Sequence, residues 1–582
     1  MTRPGRLGAA MALAAYVALA VLLFGSAWRD PFRITVGIGG DPELFMWLLS
    51  WTPFSISHGL NPLLTDYLNY PSGANLMWNT VQLAPGLLLW PLLAAFGPVL
   101  TFNALMTLAL ALSAWCAFLA VRAIVGDSVG AFAGGLLYGF SPYMLGHALG
   151  HPNFVICLFP PLNLLLLYEL LVRQRRAPWL PGALLGVLAA AQLVTNEEIL
   201  FTTALFDALG VALLAALAPA AVRARLGHAL RGLATALLVC LALAAVPLAT
   251  QFLGPQRVLG EVRAPDFYVD DLLTFIVPGP IFWLAPAAAV KLTAGWSGNA
   301  AEWNGYLGLP LAVLLAGLAL FRRRDPVVRW AALLGVVIAI CSLGPHLHLN
   351  GHVYRRAPLP WAAVQALPLF RDILPGRLML YFFLVAAVAV GVFAAEVRRA
   401  PAAGRRLLGA SALALAALPL LPALPWPATE RPLPGFFQKA GAFGQVPSGS
   451  VVLVAPFSTD PGIQARSAQE TATHPMYWQA AAGMSFRMPS GYMRVPGPDG
   501  ATLNGPPPTT TSDLIIRIQE GEPAPPMTDA LRTAMAGDFQ HWRVRAVIVG
   551  PMQNQAEEVR LFTDYLGRPP EQHGDVYVWW DV

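Results

Sequence analysis

The stretch GIGGDPELFMWLLSW (37–51) sets an acidic pair, Asp41 and Glu43, about a dozen residues beyond the first apolar helix of a chain that is mostly membrane. Aromatic and apolar residues follow at once, suited to lying along a bilayer interface. A carboxylate held just outside the bilayer is what a membrane-surface active site needs. Asp followed by Pro is also a favoured helix start, so the same residues predict a helix beginning at Pro42 with Asp41 as its cap.

Composition sets the class around that stretch. Hydrophobic residues make up 56% of 582, charged residues 12%, and mean hydropathy is +0.57, a balance that no soluble globular core of this size accommodates. The net charge of +5 does not point to nucleic acid, because arginine falls in short clusters between apolar runs. Cys116, Cys157, Cys240 and Cys341 all lie in or at the ends of apolar segments, so neither a disulfide framework nor a CxxC metal site is available.

Apolar runs near 8–27, 100–122, 129–145, 152–172, 178–195, 200–219, 230–252, 304–321, 326–343, 376–396 and 406–426 predict about eleven spanning helices. With Arg3 and Arg6 inside, Arg122, the RQRR run from Arg173, Arg223 to Arg231, Arg322 to Arg324 and Arg398 to Arg406 all fall on the same, cytoplasmic side. That pattern requires 82–98, with Pro85, Pro91 and Pro98, to be a juxtamembrane piece rather than a crossing. A cleaved signal peptide ending at GSA (25–27) is the alternative reading of the N-terminus, and it too leaves 28–99 outside. The expected fold is a mainly α polytopic membrane protein over 1–427 with a C-terminal α/β domain, 428–582, outside the inner membrane. The runs VVLVAPF (451–457), VRAVIVG (544–550) and DVYVWWDV (575–582) supply its strands.

An early Asp in the first outer loop, a proline-rich juxtamembrane helix, a helix ending in Arg122 and FSPY (140–143) closing the next span resemble the GT-C glycosyltransferases. These are the polyprenyl-phosphate-sugar users that include aminoarabinose transferases and protein O-mannosyltransferases. The likeness covers about the first 250 residues. GYLGLP (305–310), SLGPHLHLNG (342–351) and LPLFRDILPGRLML (367–380) place the chain nearest a bacterial group with a C-terminal outer-face domain. The resemblance implies an inverting transfer of a sugar from a polyprenyl-phosphate carrier to a glycan, lipid or protein acceptor, with Asp41 as general base. A lipid-linked sugar flippase and a non-catalytic envelope assembly protein are the rival readings.

The remaining candidates follow from charge placement. Glu43 is either a second acid or a first-turn residue favoured by the helix dipole. His147 and His151, four residues apart, stand where relatives commonly carry an acid and suit a metal or a donor phosphate. Glu197, adjacent to Glu198 at a membrane boundary, is a third candidate carboxylate. Arg371 and Arg377, and Arg257 and Arg263, are outer-side arginines placed to clamp a phosphate or to pair with nearby Asp266, Asp270 or Asp372. His346 and His348 are weaker candidates for donor or metal binding, and Trp478 reads as core of the outer domain. YPSGANLMWN (70–79) lacks the basic residue that aminoarabinose transferases carry beside paired prolines, so their phosphate contacts do not carry over. No metal site is assigned and no cofactor is expected, although GT-C enzymes differ in their use of a divalent ion. A GxGxxG or GKS/T phosphate loop is absent.

Overall fold

The computed structural model describes residues 3–260, 264, 266–367, 370–439, 441–459 and 466–582. These form two compact units, one of residues 1–28, 105–244 and 261–427 and the other of 29–104, 245–260 and 428–582.

Helices dominate the first unit because its sequence is apolar on nearly all sides and a backbone in lipid must satisfy its own hydrogen bonds. Among the described residues, Trp90–Val125, Pro152–Arg173, Glu197–Leu217, Pro219–Leu253 and Pro375–Arg399 are long and apolar enough to cross a membrane. Shorter apolar helices occupy Leu7–Leu23, Ser128–Gly139, Trp179–Leu193, Gly308–Phe321 and Pro326–Ser342. The chain is thus a membrane-embedded helical protein, but eleven helices of spanning length are not present among the described residues. The run 129–145 shows why. Its helix stops at Gly139, and Ser141 caps a new short helix, Pro142–His147, by accepting from the Met144 amide.

The second unit is built on a four-stranded sheet in the order Glu571–His573, Val576–Trp580, Val544–Val549, Val451–Ala455. The last two strands run parallel and the other pairs antiparallel. Leu453, Val547 and Trp579, one from each of three neighbouring strands, share one core with Ile515, Met535 and Phe562 from the covering helices. Residues 29–104 cluster with this unit. Strand Ile34–Val36 pairs antiparallel with Ala428–Glu430, and the Trp47 indole donates to Gln479. Within 82–98 a short helix, Leu83–Leu88, precedes Trp90–Val125, which breaks at Gly97. Gly97 takes φ 78°, a left-handed value that suits glycine, directly before Pro98.

Candidate functional site

Helix Asp41–Ser57 in the second unit carries the first candidates. Its cap is Gly40, Asp41 is its first residue, and no side chain caps it, so Asp41 does not serve as the N-cap that the sequence suggested. The Asp41 side chain stays partly exposed in the first turn, where the helix dipole favours a carboxylate. Glu43, two residues on, is fully buried. One of its oxygens lies 2.6 Å from His474 Nδ1 and 3.5 Å from an Arg431 nitrogen, while Arg431 Nε donates to Thr35 at 3.0 Å. Glu43 is therefore tied into the packing of this unit, and Asp41 is the more exposed carboxylate of the pair. Arg257 is exposed and donates to the Phe252 carbonyl at 3.2 Å; Arg263 lies outside the described residues. Trp478 is buried, stacked on Phe437 and bonded to the Pro432 carbonyl.

A second group of side chains converges in the first unit. His147 ends the short helix Pro142–His147, and the turn that follows brings His151 back, so that the two Nδ1 atoms face each other at 3.4 Å. On its other edge His147 Nε2 lies 3.9 Å from a Glu302 oxygen and 3.5 Å from the Asn304 amide. Arg377 grips Glu302 through Nε at 2.9 and 3.1 Å and through a second nitrogen, and donates to Glu198 at 2.7 Å. Its guanidinium lies 3.8 Å from the centre of the Phe154 ring. The phosphate-clamp reading of Arg377 has to reckon with these partners, because two carboxylates already take much of its donor fork. Arg371 is half exposed with Asp372 at 3.9 Å, and Glu197 sits in the first turn of Glu197–Leu217.

Electrostatics define what this cluster can hold. Burial, then the charge of Arg377 and the nearness of His151, hold the His147 imidazole well below its usual range, so it is neutral and free to act as a ligand. Glu198 and Glu302 bring two negative charges against one guanidinium. His147, His151 and Glu302 each offer one ligand atom within 4.8 Å of the others. Two imidazole nitrogens and a carboxylate oxygen are a donor set of the kind that divalent ions such as zinc take. These residues fit a divalent cation.

Behind the cluster lies Asp270, fully buried, accepting from the Gly305 amide at 3.0 Å and from Ser342 and Asn304. A Cβ at position 305 would come within 2.9 Å of that carboxyl, so glycine is needed for this close approach. Burial pushes the Asp270 carboxyl up to about 8. Glu302, Asn304 and Asp270 were not singled out from sequence as site residues, although they flank the GYLGLP motif and the VDD triplet. His346 and His348 instead meet Asp266, at 3.0 and 3.8 Å.

Residues 12–420 match the model of a family described as a domain of unknown function, DUF6311. No curated protein matches the chain. Among solved structures, the chain is similar to the arabinofuranosyltransferase AftD from Mycobacteria, at 16% identity and a TM-score of 0.52, with 98% of this chain covered and 40% of that one. The archaeal oligosaccharyltransferase AglB from Archaeoglobus fulgidus is matched at 13% identity and a TM-score of 0.44, over 93% of this chain and 69% of that one. The chain spans two fifths of the AftD chain, and that likeness gives it a GT-C-like fold.

Proposed function

For a chain that belongs to the DUF6311 family and has a GT-C-like fold, we propose the role of an inverting membrane glycosyltransferase that moves a sugar from a polyprenyl-phosphate carrier to an acceptor on the outer face of the inner membrane. The observation that carries this reading is Asp41, a partly exposed carboxylate in the first turn of the helix Asp41–Ser57, in which Glu43 is fully buried.

In the proposed reaction the Asp41 carboxylate takes the proton of the acceptor hydroxyl. The acceptor oxygen forms the new bond to the sugar's anomeric carbon while the carbon–oxygen bond to the carrier breaks, and its electron pair leaves with the phosphate. Arg377 fixes Glu302 and Glu198, Phe154 covers the guanidinium, and Asp270 holds the Asn304–Gly305 turn next to Glu302. Within the first unit, His147, His151 and Glu302 would hold a divalent cation, which when bound supplies positive charge.

The test uses the purified protein in lipid nanodiscs with a panel of polyprenyl-phosphate sugars. Asp41→Asn keeps the shape of the side chain and removes the base, so turnover should fall about 100-fold to 10,000-fold with thermal unfolding unchanged. Near-parental turnover in the folded variant would remove Asp41 from the mechanism. If the parent releases polyprenyl phosphate from none of the donors, the transferase reading itself falls.

A further inference from the structure

An apolar slot of about 290 Å3 runs between the helices Pro152–Arg173, Glu197–Leu217, Pro326–Ser342 and Pro375–Arg399. Along one wall it extends from Pro326 to Ile338, about 18 Å of helix at 1.5 Å per residue. Its upper end is closed. The Tyr381 hydroxyl is bonded to Thr202 at 2.7 Å, to Thr203 at 3.0 Å and to the Ile199 carbonyl at 3.0 Å, and its ring packs 5.1 Å from that of Phe206. This roof lies one helical turn beyond Arg377, so it separates the slot from the Arg377–Glu198 pair.

The lower end is different in chemistry. Val172, Leu214 and Pro326 line the slot at the ends of their helices that carry the arginine clusters. Several of those arginines are taken: Arg322 pairs with Glu396, and Arg398 and Arg399 with Asp127. Arg173 and Arg329 form no ion pair among the described residues. Arg173 lies next to the lining residue Val172 and 5.9 Å from the ring of Tyr168, another lining residue. Arg329 follows Pro326 by three positions and so shares its helix face. The lining here includes a π-helical turn, Glu169–Arg173, a backbone form that recurs at functional sites.

We propose that this slot takes one acyl chain of an anionic phospholipid from the leaflet at the arginine end, with the lipid phosphate at Arg173 and Arg329. A hydrocarbon slot of this length, closed above and flanked below by unpaired guanidinium groups, matches the two parts of such a lipid. The occupant enters from below, because Tyr381 and Phe206 bar the way from the site above. Asp207 lines the slot about ten residues from either end of its helix and forms no hydrogen bond or ion pair among the described residues. It gives the slot a chemical reporter, since a carboxyl in apolar surroundings is open to a hydrophobic carbodiimide.

The experiment is native mass spectrometry of the purified full chain with phosphatidylglycerol or phosphatidylcholine, together with dicyclohexylcarbodiimide labelling of Asp207. The parent should retain one phosphatidylglycerol and little phosphatidylcholine, and bound phosphatidylglycerol should slow the labelling. Arg173→Gln and Arg329→Gln should each weaken retention about fivefold. Val211→Trp, which fills the slot, should abolish retention, and the two arginine variants keep the test decisive if that protein misfolds. Equal retention of both lipids with parental behaviour of the arginine variants would mean ordinary boundary lipid and overturn the proposal. So would one-for-one displacement of phosphatidylglycerol by a polyprenyl phosphate, which would make the slot part of a donor site.

Discussion

Asp270 offers the sharpest physical test of the site's construction. Its carboxyl is fully buried, its second oxygen has no hydrogen-bond partner, and its pKa stands at about 8 against about 3.9 in an unfolded chain. Between those values the folded protein holds a proton that the unfolded chain has lost. Stability from this group is therefore fully present below about pH 4 and is lost as pH rises through 8, with a slope of at most about 1.4 kcal/mol per pH unit. From pH 6.5 to 8 the loss is about 2 kcal/mol or less, a drop of about 1–3 °C in unfolding temperature. Asp270→Asn keeps one oxygen for the Gly305 amide and cannot ionise, so its profile should lack this fall. His147 and His348, whose pKa values burial depresses, act on the other side: their contribution is lost as pH falls below about 6.5, in parent and variant alike. Scanning fluorimetry in detergent across pH 5.5–8.5 measures both limbs. Parallel curves for parent and variant above pH 6.5 would refute the assignment of a protonated Asp270.

Arg377→Gln leaves two carboxylates, Glu198 and Glu302, facing each other without their shared cation, and should cost about 3–5 kcal/mol in thermal or denaturant unfolding. Adding Glu198→Gln should return part of that loss, whereas a single variant as stable as the parent would contradict the ion cluster. His147→Ala and His151→Ala should each weaken binding of Mn2+ or Zn2+ by about tenfold to a hundredfold or more in calorimetric titrations, and a parent protein that takes up neither ion at millimolar concentration would exclude the metal site.

What the sequence made legible was local. The three β-rich runs became strands Val451–Ala455, Val544–Val549 and Val576–Trp580 because they are rich in β-branched or aromatic residues and free of glycine and proline. Apolar runs became helices for the equally local reason that their length and side chains suit lipid. The four-residue spacing of His147 and His151 did mark a pair, though by another route than a shared helix face: the helix ends at His147 and the turn after it brings the rings together. Charge pairing across the chain was not legible. Glu43 finds Arg431 and His474, 388 and 431 positions away, and Arg377 finds Glu302 and Glu198 at separations of 75 and 179. Any carboxylate in the sequence had several arginines to choose from, and only tertiary packing selects among them. The same holds for strand pairing, since the Ile34–Val36 strand has no signal of its own that its partner is 428–430.

The charge balance of the His147 group limits how it can work. Glu198 and Glu302 exceed Arg377 by one negative charge, and a buried excess of that kind is costly unless something compensates it. Protonating His147 would do so, but burial and Arg377 both oppose an imidazolium there. Asp270, largely protonated at neutral pH, adds no charge of its own while holding the turn that carries Asn304 and Gly305. A divalent ion on His147, His151 and Glu302 would supply that compensation, with metal bonds replacing the His147–His151 contact. On this reading the neutrality of His147 is a condition of the chemistry. Substitutions that raise its pKa, such as loss of Arg377, should therefore weaken metal binding even where the ligands themselves are intact.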